Sequence, residues 1–463
     1  MAIRSANRTF DVGVQVLIVG AGACGLTAGL AARAAGADVL VLERDETPTG
    51  STSLSSGLIP AAGTRLQREH GVKDTPEQLA EEILAKARGQ TDARIVHAVA
   101  AASAETIDWL MDDNGIELEL LTSFLYPGHS RHRMHGPVNR TGGELEGGLL
   151  SAAAEEGIDL LTSATVDDLF VDDDGTIRGV GAMRPDGSRE FIGCEALILA
   201  CNGFGGNPEM VQHYIPEVSE AMYFGHDGNK GDAVNWGLAL GAGLADLGSY
   251  QGHGAVAHPH GIPVWDTITA GGYQVNLSGN RFSNEESGYS EQALEVLKQP
   301  NHVAWNIYDG RGHAIGLESL EYRHGVELGA VREAASVLDL ARLTGLDEAA
   351  LARTIDDAEK MAMGAHPCPF GRDFTLKAPL SPPFFAVKVT GAFFHTQGGL
   401  VVDIDGRVMR KDGYQMPNLF AGGGAARGLS GPSCWGYFSG SGLLMATNLG
   451  RLSGRAAAEL VMR

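Results

Sequence analysis

Three glycines and one carboxylate near the start of the chain are spaced to hold a dinucleotide. Gly20, Gly22 and Gly25 follow an apolar run that begins at Val16 and precede a segment rich in alanine and leucine. Gly20 permits a tight turn, Gly22 lets backbone approach a pyrophosphate, and Gly25 lets a helix pack on a strand. Glu43 ends a second apolar run 18 residues after Gly25, where a carboxylate can accept hydrogen bonds from ribose hydroxyls. This order favours a dinucleotide site over a glycine turn without a ligand.

The elements that must position these residues alternate between strands and helices, which predicts an α/β fold. From about residue 248 to about 384 this alternation changes, and we interpret that stretch as an inserted second domain. The predicted elements are a β-α-β unit at 16–43, helices within 76–112 and at 144–156, strands at 159–171, 177–183 and 196–200, a helix from 231–232 to about 241, and a strand at 384–389.

Composition excludes several classes of function. The 463 residues carry a formal net charge of −22, which argues against nucleic acid because phosphate neutralisation needs clustered Lys and Arg. The five cysteines are dispersed, as in proteins of a reducing compartment. Neither a signal peptide nor a membrane-spanning run is recognised, so we expect a cytoplasmic protein without a membrane partner. Two histidine groups, at 129–135 and 253–260, have no completing ligands, so no metal is expected.

The C-terminal segment favours FAD over NAD. A predicted strand at 419–421 enters the turn at 422–424, and Gly440, Ser441 and Gly442 open a predicted helix. The N-terminus of a helix at this place could stabilise negative charge on a reduced flavin ring. The alternative is an ordinary glycine turn before a surface helix.

Taken together, these motifs resemble those of the flavoprotein family of fumarate reductase, succinate dehydrogenase and 3-ketosteroid 1-dehydrogenase, over nearly the whole chain. The matching motifs are the glycines with Glu43, Ser51-Thr52 with Ser55-x-Gly57, Ala200-x-x-Gly203-Phe204-x-x-Asn207, Gly231-Asp232, Gly279-Asn-Arg281-Phe282-x-Asn284-Glu285, His395-Thr396-x-Gly398-Gly399, Ala421-Gly422-Gly423 and Gly440-x-Gly442-Leu443. Cys201-Asn202 stands where the family usually has Thr-Gly, which we interpret as tolerated backbone variation.

The resemblance implies a Rossmann-type, glutathione-reductase-like FAD-binding domain with an inserted α+β capping domain. The expected divisions are 1–247 and 386–463 for the FAD-binding domain and 248–385 for the cap. No histidine precedes the Ser51 loop, where some members tether the flavin, so FAD is expected to bind non-covalently. The residues assigned to the cofactor are Gly20, Gly22, Ala23, Gly25, Glu43, Arg44, Ser51, Thr52, Ser55, Gly57, Val166, Ala200, Gly203, Asn207, Gly423, Ser441, Leu443 and Leu444.

Three aligned positions separate the possible substrates. Enzymes of dicarboxylates such as fumarate use arginines, which supply a permanent charge and a bidentate fork. Here those positions hold Tyr289, Ile268 and Tyr437, so fumarate reduction is not expected. Tyr289 and Tyr437 instead match two tyrosines of the ketosteroid enzymes. The pair Phe393-Phe394 stands where dicarboxylate enzymes use a ligand-binding histidine, which also favours an apolar substrate.

The resemblance therefore implies an FAD-dependent ketone α,β-dehydrogenase. Tyr289 would take the proton next to the carbonyl, and Tyr437 with the N–H near Gly442 would polarise the carbonyl oxygen. A base role for Tyr289 requires neighbours that depress the pKa of its phenol. Tyr126 and His395 are further candidates, as a pocket wall and as a catalytic or structural histidine. Trp265, Trp435 and Phe438 are candidates for the pocket lining or for core packing.

The substrate is expected to be a small-molecule cyclic ketone, either a 3-ketosteroid or a smaller ring of the cyclohexanone type. The modest chain length favours the smaller ring slightly. Two alternatives stay open, a flavin-dependent reductase of an activated alkene and a flavin-binding protein without turnover. The sequence does not identify the electron acceptor, the direction of the reaction or the oligomeric state.

Overall fold

The fold is described from a computed structural model that covers residues 2–463. The helices are α1 Ala23–Ala34, α2 Arg65–Glu69, α3 Pro76–Lys86, α4 Ala93–Asp112, α5 Gly142–Glu155, α6 Pro208–Tyr214, α7 Asp232–Leu240, α8 Asp266–Thr269, α9 Tyr289–Leu297, α10 Gly310–Gly316, α11 Leu320–Glu327, α12 Val337–Thr344, α13 Glu348–Ala362 and α14 Ser441–Val461. The strands are β1 Ala2–Ser5, β2 Val12–Val19, β3 Val39–Leu42, β4 Ile59–Pro60, β5 Glu119–Leu120, β6 Met134–Gly136, β7 Asp159–Leu161, β8 Thr165–Val171, β9 Ile177–Met183, β10 Arg189–Leu199, β11 Met222–Tyr223, β12 Leu244–Ala245, β13 Tyr250–Ala257, β14 Ile262–Pro263, β15 Tyr273–Val275, β16 Val303–Asp309, β17 Val331–Ala334, β18 Phe384–Thr396, β19 Gly399–Leu400, β20 Arg407–Met409 and β21 Gln415–Ala421.

The first sheet is built around the predicted β-α-β unit. Its strand order is β1-β8-β9-β10-β2-β3-β7, with β21 on β10 and β20 on β21. Strand β2 pairs in parallel with β3 and with β10, so that Val16 lies opposite both Val39 and Ala196. These central strands are continuous apolar runs because helices cover them. The α/β prediction is confirmed.

Small residues bring the two ends of the chain together on this sheet. Helix α14 crosses α1 so closely that a Cβ on Gly450 would lie 2.6 Å from the carbonyl oxygen of Cys24. A Cβ on Gly454 would lie 2.1 Å from that of Ala28. This seam brings the N-terminus of α14 to the same region as the glycine turn before α1.

The second sheet has the order β14-β13-β18-β16-β15, with β11 and β17 also on β18. Its long strand β18 continues to Thr396, well beyond the predicted end at 389. Because of this extension, Phe394 and His395 are carried from the second sheet to the cofactor region. The predicted domain divisions stay predictions, and the first residue of the first division lies outside the described residues.

Two ion pairs join the parts of the chain on either side of the cavity. Lys86 of α3 pairs with Glu291 of α9, and Arg140 pairs with Glu318, which lies between α10 and α11. In the described part of the chain, no helix has the length and hydropathy needed to cross a membrane.

Candidate active site

The glycine turn before α1 places the backbone of Gly20 and Gly25 in close contact with neighbouring backbone carbonyl groups. Gly20 has a φ of +108°, and a Cβ there would lie 2.5 Å from the carbonyl oxygen of Ala200. A Cβ on Gly25 would lie 1.8 Å from the carbonyl oxygen of Gly20. Any side chain at either position would therefore force the turn apart. The turn leaves the N-terminus of α1 open to a phosphate, which the helix dipole would stabilise.

The carboxylate of Glu43 is oriented by the same turn. Its two oxygens accept hydrogen bonds from the N–H of Ala21 at 2.9 Å and of Asp45 at 3.1 Å. Its neighbour Arg44 donates to Asp232 at 2.9 Å and to the carbonyl of Gly228. Both side chains line the cavity, but Arg44 is already paired. A carboxylate oxygen can accept more than one hydrogen bond, so Glu43 keeps the acceptor capacity that its predicted contact with a ribose requires.

The Ser51 loop closes over the N-terminus of α1. The hydroxyl oxygen of Thr52 accepts a hydrogen bond from the N–H of Ala23 at 2.9 Å. The side-chain amide of Asn202 donates to the hydroxyl of Ser51 at 2.7 Å. Asn202, which the sequence suggested to be only a tolerated variation, therefore holds this loop in place.

The predicted cofactor residues fall into two groups. Those that line one continuous cavity are Gly20, Gly22, Ala23, Glu43, Arg44, Ser51, Thr52, Ser55, Val166, Ala200, Gly423 and Leu443. The others lie behind the cavity wall, namely Gly25, Gly57, Gly203, Asn207, Ser441 and Leu444. Asn207, for example, caps α6 and donates to the carbonyl of Lys230. We propose a supporting role for this second group.

The far wall of the cavity carries the N-terminus of α14. Its N-cap, Gly440, has a φ of +79° and provides no side-chain cap. The hydroxyl oxygen of Ser441 is buried there and has no hydrogen-bond partner among the described residues. An uncapped helix start, a glycine turn and the carboxylate of Glu43 on one cavity fit FAD, and the N-terminus of α14 would stabilise negative charge on a reduced ring.

Tyr289 and Tyr437 meet at this end of the cavity. Both are buried, and their ring centroids are 5.9 Å apart. Tyr289 begins α9, and Tyr437 lies on the segment that leads into α14. The sequence placed these residues about 150 positions apart on the chain, and the fold brings them to one wall.

The surroundings of Tyr289 act on the pKa of its phenol in opposite directions. Burial raises its pKa to about 12, against the opposing effect of the hydroxyls of Ser439 and Tyr437 and of the N–H of Gly440. Burial also raises the pKa of Tyr437 well above its usual range, while Ser441 and the N–H of Gly442 act in the opposite direction. The depressing neighbours that a base needs are present, but burial outweighs them. Ser439, which sequence reasoning missed, acts on the pKa of Tyr289, and its own hydroxyl donates to the carbonyl oxygen of Pro127 at 3.0 Å.

Aromatic side chains form the rest of this end. His253 is stacked on Phe394 with ring centroids 5.1 Å apart, and its centroid is 5.2 Å from that of Tyr289. Trp265 completes the group, 5.6 Å from Tyr289. Phe393 instead points away from the cavity and packs on Tyr250. The lining therefore holds one of the two adjacent phenylalanines.

His253 is the second residue that sequence reasoning missed. Its Nδ1 accepts a hydrogen bond from the N–H of Ala255 at 3.3 Å, so the neutral ring carries its proton on Nε2. Burial lowers the pKa of the ring to about 3. His253 can thus offer the cavity a neutral N–H donor. No local sequence pattern marks His253 as a site residue; it is identified only by the pairing of β13 with β18 in the folded structure.

His395 lies between Tyr437 and the start of α14. Its ring centroid is 5.9 Å from that of Tyr437, and a Cβ on Gly442 would lie 3.1 Å from its Nε2. Its Nδ1 is 3.3 Å from the carbonyl oxygen of Thr396. Burial lowers its pKa to about 4, so the ring is neutral. The ring of His395 packs between Tyr437 and Gly442. Its catalytic role stays a prediction.

The remaining candidates divide between wall and core. Tyr126 lines the cavity, as does Trp265. Trp435 lies under the guanidinium of Arg88. Phe438 is fully buried and packs on His129 with ring centroids 4.0 Å apart. Trp435 and Phe438 are therefore packing residues and not part of the lining.

Arginine is scarce around the cavity. Of the described residues, two arginines line it, Arg44 and Arg140. Each is paired with a carboxylate, Asp232 and Glu318 respectively. A dicarboxylate beside the tyrosine pair would therefore find no guanidinium in this lining that lacks a carboxylate partner.

Comparison with known proteins agrees with the geometry. Residues 15–442 match the family described as FAD binding domain, and the chain belongs to that family. A probable fumarate reductase of Shewanella frigidimarina is 31% identical over 451 residues, which cover 96% of this chain and 75% of that protein.

Two solved structures share the fold. The open conformation of a flavocytochrome c3 fumarate reductase matches with a TM-score of 0.81 at 30% identity, over 98% of this chain and 79% of that one. A 3-ketosteroid-Δ4-(5α)-dehydrogenase from Rhodococcus jostii, solved with 4-androstene-3,17-dione, matches with a TM-score of 0.77 at 26% identity, over 99% and 100%. The protein is thus a flavoprotein that binds FAD, an oxidoreductase acting on CH–CH groups, and the resemblance to this superfamily is confirmed.

Proposed function

We propose that the protein is an FAD-dependent ketone dehydrogenase that introduces a double bond next to the carbonyl of a cyclic ketone. The observation that carries this proposal is the buried pair of Tyr289 and Tyr437 beside the N-terminus of α14. Two phenols and backbone N–H groups suit a neutral carbonyl. They do not neutralise a dicarboxylate.

Bound FAD supplies the acceptor for the hydride of the β-carbon. The hydroxyl of Tyr437 and the N–H of Gly442 donate hydrogen bonds to the carbonyl oxygen, where charge develops. The ionised form of Tyr289 takes the α-proton on its oxygen as the α-carbon–hydrogen bond breaks and the carbon–carbon double bond forms. In the complex, the N–H of Gly440 is the group left to stabilise the phenolate of Tyr289, because the O–H of Tyr437 is used on the carbonyl and that of Ser439 donates to the carbonyl oxygen of Pro127.

The aromatic lining of His253, Trp265 and Phe394 favours a largely apolar ring. Chain length does not separate a small ring from a steroid, because this chain spans the full length of the Rhodococcus jostii ketosteroid dehydrogenase. The expectation of a smaller ring on grounds of length is therefore withdrawn. Both ring sizes stay in the proposal.

One observation favours the alternative, reduction of an activated alkene. A pKa raised to about 12 favours the protonated phenol of Tyr289 at neutral pH, and a protonated phenol can donate the proton that such a reduction requires. The similarity to a probable fumarate reductase points to the same direction. The scarcity of arginine in the lining is the observation that favours ketone dehydrogenation over the reduction of a dicarboxylate alkene such as fumarate.

The direct test is an anaerobic panel followed by the visible flavin absorbance. The holoenzyme is mixed in turn with cyclohexanone, a 3-ketosteroid and succinate, and the dithionite-reduced holoenzyme with the matching enones and with fumarate. We expect a ketone to bleach the flavin and succinate to leave it unchanged. Oxidation of the reduced enzyme by fumarate, with no bleaching by any ketone, would overturn the proposal.

A further inference from the structure

The cavity extends past the tyrosine pair to a charged end. Tyr126 lines the same cavity, and its phenol is influenced by Asp266, Tyr289, Arg140 and Glu321. Arg140, Asp266 and Glu321 line the same cavity as Tyr289. We call these three side chains the distal group. The proposed ketone chemistry makes no use of them.

Within the distal group, Arg140 is held by an ion pair with Glu318. Glu318 accepts hydrogen bonds from Arg140 Nη2 at 2.6 Å and from the hydroxyl of Ser123 at 2.7 Å. The other terminal nitrogen of Arg140, Nη1, is buried and has no partner among the described residues. A buried N–H group without a partner is uncommon in a folded protein, and a bound ligand is one explanation for it.

The two carboxylates of the distal group are also free. No other residue of the described chain donates a hydrogen bond to Asp266 or Glu321. Burial raises the pKa of Asp266 to about 6. Burial, and then the charge of Asp266, raises the pKa of Glu321 to about 7. Unpaired acceptors and one unpaired donor thus line the same cavity as the tyrosine pair.

We propose that the distal group recognises a hydroxyl on the substrate, at the end of the molecule opposite to the ketone. A hydroxyl can donate to Asp266 or Glu321 and accept from Arg140 at the same time. A carboxylate would be repelled by the two acids. This inference rests on the proposed function, since it assigns the second polar group of the same ketone substrate.

The test uses two matched pairs of ketones and the holoenzyme. The pairs are cyclohexanone with 4-hydroxycyclohexanone, and 5α-androstan-3-one with its 17β-hydroxy derivative. Dissociation constants come from the flavin spectrum perturbed by each ligand, and rates from anaerobic bleaching. In at least one pair we expect the hydroxylated member to bind about 10- to 100-fold more tightly, as expected for a hydrogen bond to a charged group.

Two variants and a control decide the assignment. Asp266→Asn and Glu321→Gln should each reduce the preference for the hydroxylated ketone, with FAD content unchanged. Glu327→Gln, on the same helix as Glu321 but exposed, should leave it intact. A preference below threefold in both pairs, or one that survives both variants, would overturn the inference. If no ketone of either pair bleaches the flavin, the proposed function itself fails.

Discussion

Replacing Tyr289 with phenylalanine removes the proposed base and leaves its ring in place. The ring contacts His253, Trp265 and Tyr437, with centroids 5.2 to 5.9 Å away, so packing and FAD content should change little. We expect the loss of the hydroxyl to cost about 1 kcal/mol of stability. The rate of ketone-dependent bleaching should fall by roughly two to four orders of magnitude, as expected for a positioned acid–base group.

The pH dependence makes this prediction sharper. With a pKa of about 12, on the order of one phenol in 10⁵ is ionised at pH 7, and each added pH unit raises that fraction tenfold. In the wild-type protein the logarithm of the bleaching rate should therefore rise with a slope near one between about pH 7 and pH 10. In the Tyr289→Phe variant the profile should be flat over the same range.

The assay is stopped-flow bleaching of the flavin at saturating ketone under anaerobic conditions. Tyr273→Phe is the matched control, because Tyr273 is also a buried tyrosine but lies outside the cavity. Its phenol oxygen has no hydrogen-bond partner among the described residues, so its loss breaks no contact. That variant should keep both the rate and the slope. A Tyr289→Phe protein with near wild-type rates and the same pH slope would refute the base assignment and direct attention to His395 or Tyr126.

Four further predictions follow from the same geometry. Acid or heat precipitation should release the yellow cofactor into the supernatant, and colour left in the pellet would indicate a covalent link. A Gly25→Ala protein should be purified without FAD, because its Cβ would lie 1.8 Å from a backbone oxygen; absorbance per protein measures this. Succinate and fumarate should react far more slowly than the best ketone, and equal turnover would contradict the arginine argument. Burial lowers the pKa values of His129, His135, His253 and His395 to about 3 or 4. Because the folded state then binds fewer protons than the unfolded state below about pH 6.5, the free energy of unfolding should fall as pH drops from about 6.5 toward 4, by up to about 1.4 kcal/mol per histidine and pH unit. Denaturant titrations at each pH check this, and a stability that stays constant over that range would contradict it.

Local patterns were enough to predict the cofactor side of the site. The glycines, the apolar runs and the acid at Glu43 are close in sequence, and the close approaches at Gly20 and Gly25 follow from the turn itself. The start of α14 at Gly440 could be predicted from sequence because its motif residues are also close together on the chain. Tyr289 and Tyr437, by contrast, were found through resemblance to a family, because nothing local relates two residues so far apart on the chain.

Contacts between distant strands explain what the sequence left out. His253 reaches Tyr289 only because β13 pairs with β18 and α9 packs on that sheet. Adjacent residues of a strand point to opposite faces, so Phe393 and Phe394 could not both line the cavity, and their sequence did not tell which one would. Asn202 was misjudged because its partner Ser51 lies 151 positions away.

The central claim is that a ketone loses its α-proton to the protein and its β-hydride to the flavin. The most direct measurement is an anaerobic single turnover with the best ketone of the panel, with the enone counted by mass spectrometry against the flavin bleached. We predict one enone for each flavin, and slower bleaching when the β-carbon carries deuterium. Bleaching without formation of enone would contradict the account. So would an unchanged bleaching rate with both the α- and the β-deuterated ketone, combined with rapid oxidation of the reduced protein by fumarate.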